Sequence, residues 1–411
     1  MDATFMTALN IVNVRHLKNI TIPLSTTERR SIILTGKNGS GKTSVLESLE
    51  NFLEFVVSNR FYTKDKCEKY VREYRQKASS AGSTEENKLN AQQNQSFLQT
   101  WEKSYNHWVN GAVAEFTSYA DVRAKYQQGN FILAYYGDKR KISVQVSKNI
   151  EKVDLKDVYT IKDNPSQLLV KYLVNLKTTA AFAQSSGNLQ RVKEINEWFD
   201  RFEGIMRDLY EDDKLRLEFN IETFEFSILQ QGREPFDFNT MSMGYAAVFD
   251  IIGDLIMRME SKKNYNIEGL VLIDEIETHL HVELQKKIMP VLMKLFPNIQ
   301  FVLTTHSPFI LNSTPDSVVY DLETHALVQD GLTNLPYNGI VEGYFNVDSL
   351  SQDLRKKFSE YKSIVGKSDL SDADYARASE LEMYLDEVPD YLALDFASEY
   401  ERLKQELSNR G

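Results

Sequence analysis

A chain of 411 residues, 42% of them hydrophobic, can bury a substantial core, and its length suits one large or two modest domains. Its single cysteine, Cys67, excludes a disulfide framework and any multi-cysteine zinc site. The formal charge of -11 argues against a surface that coats nucleic acid generally; with no apolar run near the roughly 18 residues of a membrane span and no basic-then-apolar leader, a cytoplasmic protein without membrane association is expected.

The apolar run Ser31-Ile32-Ile33-Leu34-Thr35 predicts a strand, and Val45, Leu46, Leu49, Phe52 and Leu53 recur at helical spacing. Between them Gly36 to Thr43 reads G-K-N-G-S-G-K-T, the strand-loop-helix context that makes a phosphate-binding loop credible. Gly36, Gly39 and Gly41 allow consecutive N–H groups to turn inward around phosphate oxygens, a curl that side chains and negative φ would block. Asn38, Ser40 and Ser44 belong to the same expected cradle. Lys42 is expected to reach the terminal phosphates and Thr43 to offer its hydroxyl to Mg2+, with the positive end of the new helix facing the nucleotide.

A helical insertion is expected over about 55–125. Its first part interleaves Arg60, Lys64, Lys66, Lys69, Arg72, Arg75 and Lys77 with Phe61, Tyr62, Tyr70 and Tyr74, a pattern suited to phosphate contact and base stacking. Asp65, Glu68 and Glu73 lie among them, so a solvated helix with internal ion pairs reads the same way, and DNA contact stays open. Residues 79–95, rich in Ser, Asn and Gln, read as a link or helix tip, and the insertion is too short for a long coiled-coil arm.

Sheet pattern resumes at Phe131 to Tyr136. Gln127 and Gln128 precede that strand and Gly137 to Arg140 follow it, the better place for the magnesium-sensing glutamine that the ATPase resemblance drawn below implies. Strands and helices over Ile142 to Ala183 lead to a helix over Leu189 to Tyr210 and an alternating strand pair over Leu215 to Leu229. Together, at about 142–258, they are expected to form a lobe carrying the next motif.

That motif, Asn239-Thr240-Met241-Ser242-Met243-Gly244, opens an apolar helix (Tyr245, Val248, Phe249, Ile252, Leu255, Ile256). Ser242 and Gly244 at a helix N-terminus make a second anion site, suited to a nucleotide held by another subunit; an ordinary N-cap is the alternative. Gly269 to Glu275 reads G-L-V-L-I-D-E, an apolar run that suits a strand buried on both faces. Asp274 is expected at its C-terminal end to hold Mg2+ through water, and Glu275 to polarise the attacking water. After a helix over Val282 to Leu295, the strand in Phe301 to Pro308 ends at His306, where a γ-phosphate sensor is wanted.

Ser317 to Leu327 predicts a strand pair at the sheet edge. Beyond about Asp348 the chain becomes helical, with Leu354, Phe358, Tyr361 and Ile364, then Ala376, Leu381 and Leu385, then Leu394, Tyr400, Leu403 and Leu407 as apolar positions. From Lys367 onward 12 acidic residues face 5 basic ones, which suits either a solvated cap or a partner-docking surface.

Taken together, these residues resemble the ABC ATPase class, more narrowly the heads of SMC, RecF and related DNA-metabolism ATPases. The stretches Asp274 to His281 and Leu133 to Asp138 resemble the compact AAA15/AAA21-type ATPases of bacterial anti-phage defence. That group includes the ATPase subunits of Septu and PARIS systems, some retron effectors and the heads of overcoming-lysogenization-defect nucleases. The resemblance spans about residues 5–345. It implies an α/β fold: a P-loop ABC-type ATPase head (1–345) with a mixed, mainly parallel sheet core, a helical insertion and a helical C-terminal extension (346–411).

It also implies ATP and Mg2+ as cofactors and a homodimer or higher homo-oligomer with ATP between Lys42, Thr43, Asp274, Glu275 and His306 of one copy and Ser242 and Gly244 of the other. Glu277, His279 and His281 suggest metal ligands only superficially; their place after the acidic pair assigns them to dimer contacts. No clustered acids of TOPRIM type, His-Asn-His pattern or Cys/His metal spacing marks an effector in the tail, so a separately encoded nuclease or toxin is the expected partner. The alternatives are a RecF-like repair ATPase acting on DNA and a scaffold whose nucleotide rarely turns over.

Overall fold

A computed structural model describes residues 3–79, 85–137, 152–314, 316–333, 352–367, 369–386 and 394–408. The magnesium-sensor candidates 138–140, the start of the 142–183 stretch, the tip at 80–84 and the expected boundary near 345 lie outside the described residues. The chain divides into two units, 1–334 and 335–411.

In the first unit β1 (Met6–Val14) pairs antiparallel with β2 (Leu17–Pro23) on one side and β4 (Gly111–Phe116) on the other. The second sheet runs β11-β10-β3-β9-β8-β5. Its members β3 (Ile32–Thr35), β5 (Phe131–Tyr136), β8 (Glu268–Ile273), β9 (Ile299–Thr304) and β10 (Val318–Asp321) are parallel, and β11 (Leu327–Val328) closes the edge antiparallel. Every residue of β3 and β9 is buried, as expected for strands covered on both faces. Parallel strands release their C-terminal ends at one edge, and there the loops after β3, β8 and β9 gather.

Helix α1 (Lys42–Val57) turns Leu46, Leu49, Phe52 and Leu53 into a core shared with Leu9 and Ile11 of β1, Ala114 of β4 and Leu270 and Leu272 of β8. Gln300, 1% exposed and second in β9, ties the two sheets polar to polar. Its Oε1 accepts from Met6 N at 2.8 Å, while its Nε2 donates to Met6 O at 3.0 Å and Arg30 O at 2.7 Å. Both N–H donors and one of the two oxygen lone pairs of this buried amide are thus used.

Within the span read as helical, Gly111–Phe116 is a strand. Its Gly-Ala-Val-Ala start offers little β propensity, and pairing with β1 overrides it. The helices around it are α2 (Lys64–Ser79), α3 (Glu85–Val109), so the polar stretch from 85 is helix, and α4 (Tyr119–Gln127). The aromatic side chains read as base-stacking platforms pack instead between α2 and α3. Tyr70 stacks on Trp101 at 4.4 Å and 16°, Tyr62 meets Trp101 at 4.6 Å, and Tyr74 meets Phe97 at 5.3 Å. Arg72 pairs with Glu68, Lys77 with Glu73 at 2.6 Å and Arg75 with Glu102 at 2.8 Å. Internal ion pairs and a hairpin core account for this pattern.

The lobe comprises α5 (Leu169–Ser185), α6 (Leu189–Tyr210), a hairpin of β6 (Arg216–Phe219) and β7 (Phe226–Leu229), and α7 (Met243–Glu260). Helix α8 (Val282–Leu295) follows β8, and α9 (Pro308–Ser313) follows β9. Near the end of α7 a dry polar cluster joins the lobe to β5. Arg258 Nε donates to Asp254 Oδ2 at 2.6 Å, Tyr136 OH donates to the same oxygen at 2.5 Å, and Arg258 Nη1 donates to Leu133 O at 3.1 Å and Thr160 O at 3.0 Å. Burial pushes the Asp254 carboxyl up, and the Arg258 guanidinium pulls it back.

In the second unit the helices Gln352–Val365, Asp372–Leu385 and Leu394–Ser408 share a core of their own, including Tyr361, Ile364, Ala378, Leu381, Leu385, Tyr400 and Leu403. Ala378 rather than the exposed Ala376 faces it. A capping box at Ser371 and Asp374 starts the middle helix.

Removing Arg258 would strand a buried carboxylate. Arg258→Met is expected to cost about 3–5 kcal/mol of stability, and adding Asp254→Leu to recover much of that loss, both read from urea denaturation midpoints.

Candidate nucleotide site

The loop from Gly36 to Gly41 folds as its glycines require, with φ of 132° at Gly36, 87° at Gly39 and 99° at Gly41. A Cβ on Gly36 would come within 2.9 Å of Ser40 Oγ, so a side chain there is excluded by space as well as by φ. Lys42 Nζ spans the inside of the curl, donating to Gly36 O at 2.9 Å and Lys37 O at 3.1 Å. Gly41 caps α1 without a side-chain hydrogen bond and no acid occupies the first turn, so the N–H groups at Thr43 and Ser44 begin the helix with their anion-binding capacity unspent. Asn38 lies exposed on the rim, and Ser40 Oγ is buried without a hydrogen-bond partner among the described residues.

Asp274 and Glu275 leave the end of β8 beside the end of β9. The parallel register pairs Ile273 with Leu303, which brings Thr304 level with Asp274. Thr304 Oγ1 donates to Asp274 Oδ1 at 2.6 Å and accepts from Glu275 N at 2.7 Å, so one hydroxyl sets both acids. Glu275 takes φ 43°, a left-handed conformation rare outside glycine. The Thr304 bond, and Thr278 N donating to Glu275 O at 2.9 Å, hold it there.

Glu277 fastens the segment after β9: Thr305 Oγ1 donates to its Oε2 at 2.8 Å and His306 N to its Oε1 at 2.5 Å. His306 Nε2 is buried without a hydrogen-bond partner among the described residues. Burial lowers the Lys42 ammonium pKa, against the carboxylates of Glu275, Asp274, Glu277 and Asp321. Burial and the charge of Lys42 lower the His306 imidazole, against Glu277, Glu275 and Asp274. Lys42, Asp274, Glu275 and His306 therefore share one electrostatic neighbourhood, in which burial and Lys42 favour the uncharged imidazole of His306.

Gly244 packs against a different segment, the loop that enters α8 and its first turn. A Cβ on Gly244 would lie 3.0 Å from His279 O and 3.1 Å from Leu284 Cδ1, so glycine allows the start of α7 to touch that loop. Ser242 occupies the N-cap position, but its hydroxyl makes no capping bond and the residue is exposed. Met243 and Val282 beside it are 63% and 41% exposed, an apolar face next to a polar turn. His279 and His281 are exposed on the same loop.

Sequence reading missed Thr304, the clamping contacts of Glu277, and the β10 end. Asp321 Oδ1 would lie 3.3 Å from a Cβ on Gly36, and Lys37 Nζ pairs with Glu323 at 2.9 Å. Only their places at strand ends along one edge signalled them. Among the described residues no group of three His, Cys, Asp or Glu is placed to hold a metal alone. One hydroxyl and one carboxylate, Thr43 and Asp274, suit magnesium, which binds through one or two protein oxygens together with substrate phosphates and water. No described helix is long and apolar enough to cross a membrane.

Septu protein PtuA of Bacillus mycoides (strain KBAB4) is 25% identical over 375 residues, 87% of this chain and 47% of that protein. The Retron Vc95 probable ATPase of Vibrio cholerae serotype O1 biovar El Tor is 23% identical over 354 residues, covering 71% of this chain and 68% of that one. The chain thus spans about half the length of the Septu relative and about two thirds of the retron relative. Among solved structures, an SmcHead bound to the C-winged helix domain of ScpA matches 80% of this chain and 98% of its own at 13% identity and a TM-score of 0.39. The AAA_21 family model, described as AAA domain, putative AbiEii toxin, Type IV TA system, matches residues 31–312. With its phosphate loop, acidic strand and switch strand all inside that match, the chain is an α/β ABC-type P-loop protein and belongs to the AAA_21 family.

Proposed function

We propose that this protein is an ATPase that dimerises around ATP and controls a separately encoded effector, a nuclease or toxin, in anti-phage defence. The observation that carries the reading is the convergence of Lys42, Asp274, Glu275 and His306 at one sheet edge, with Thr304 holding the two acids. The exposed Ser242 turn supports a site completed by a second copy, since it packs against the His279 loop of its own chain and presents an uncapped helix start outward. Relatives named as a Septu protein and retron ATPases support the defence setting.

In this mechanism the phosphate loop and Lys42 bind the triphosphate, and Thr43 and Asp274 hold magnesium. Magnesium held there would offset the negative charge of the phosphates. Glu275 accepts a proton from the attacking water, and its constrained backbone keeps the carboxylate aimed rather than mobile. His306, neutral and fixed through its backbone to Glu277, offers a ring nitrogen to the outermost phosphate. Loss of that phosphate weakens the closed dimer, a population shift set by differential affinity. The acidic, self-contained C-terminal helices are the surface we assign to effector docking. Direct action on DNA is less favoured, because Tyr62 and Tyr70, half-buried at the α2–α3 hairpin, already pack on Trp101.

Lys42→Ala is expected to abolish ATP binding in an equilibrium titration. Glu275→Gln should keep binding, slow turnover by about 100- to 10,000-fold and accumulate dimers in size-exclusion chromatography; wild-type turnover would remove Glu275 from the role. Ser242→Arg should stop turnover while an isolated head still binds ATP, and unchanged turnover would sink the shared site.

Thr304→Val leaves the Glu275 N–H and Asp274 without their common partner. A stability loss of about 1–3 kcal/mol is expected, largely restored in Thr304→Ser, by chemical denaturation.

A further inference from the structure

His306 and the Ser242 turn belong to distant parts of the chain, yet a largely dry line of contacts joins them. Ser307, adjacent to His306 and 6% exposed, gives its hydroxyl proton to Gln285 Oε1 at 2.6 Å. The same hydroxyl oxygen accepts from Phe309 N at 3.1 Å and Ile310 N at 3.4 Å as the cap of α9, so its one proton is committed to Gln285. At its other end the Gln285 amide donates from Nε2 to Leu280 O at 2.7 Å. Leu280, 7% exposed, belongs to the floor under Gly244, where an added Cβ would meet His279 O, Leu284 Cδ1 and Leu280 Cα within 3.9 Å. Neither side-chain bond is needed to build α8, since the backbone N–H of Gln285 already bonds His281 O.

We propose that Gln285 is a positioning residue that couples the two nucleotide sites of the dimer. Movement of His306–Ser307 in one site shifts the Gln285 amide, and with it the Leu280–Leu284 segment that supports the Ser242–Gly244 turn offered to the other site. Moving one end alone would leave a buried donor or acceptor unmet, so the two ends move together. The coupling rests on the shared-site reading given above, and it adds a route by which one site senses the other.

The test is turnover against ATP concentration for the full chain. The wild type is expected to show a Hill coefficient approaching about 2, the number of coupled sites. Gln285→Glu keeps an oxygen for Ser307 but sets a second oxygen against Leu280 O; Gln285→Met removes both bonds and serves as the second variant should the first fold poorly. Each should lower the coefficient to about 1 and turnover about tenfold, with ATP affinity by equilibrium titration changed less than about twofold. A folded variant that keeps the wild-type coefficient overturns the coupling, including one whose binding and turnover fall together. A wild-type coefficient of about 1 also overturns the coupling, whereas the shared site stands or falls separately with the turnover of Ser242→Arg.

Discussion

One hydroxyl organises the chemical edge of this molecule. Thr304 Oγ1 has one proton and two lone pairs; the proton goes to Asp274 and one lone pair takes the N–H of Glu275. The carboxylate assigned to magnesium and the backbone that aims the assigned base therefore answer to a single atom. That atom is placed by the register of β8 against β9, itself a product of two largely buried, mostly apolar strands. Core packing in the sheet thus sets the geometry of the acids, and a slip of one residue between these strands would reverse which side chains face each other.

The rest of the first unit holds that register steady. Gln300 secures β9 to the start of β1 from within the core, and α1 fills the space between the two sheets. The Asp254, Arg258 and Tyr136 cluster fixes the end of α7 to β5, the strand paired with β8. The helix that opens at Ser242 is therefore referenced at its far end to the same sheet whose edge carries Asp274 and Glu275.

The parts of this arrangement that were legible in sequence are those whose physics is local. The phosphate loop announces itself because its glycines, lysine and threonine act within eight consecutive residues. The strands before Asp274 and His306 read clearly because burial on both faces leaves unbroken apolar runs. Thr304 did not read as a keystone, since its importance arises from a partner strand about thirty residues away. The strand Gly111–Phe116 was hidden by small residues whose conformation is decided by β1. The aromatic residues of α2 read as possible stacking platforms because their partners, Trp101 and Phe97, lie on another helix more than twenty residues away, and a helical pattern does not say which faces meet.

The C-terminal helices close a core of their own around Tyr361, Leu381 and Tyr400. A segment that satisfies its own interior can accept new outward-facing residues, or be exchanged wholesale by recombination, while the nucleotide chemistry stays untouched. Inheritance can then act on the two ends of this polypeptide at different speeds, with rapid turnover of surface identity at one end and slow change of the machinery at the other.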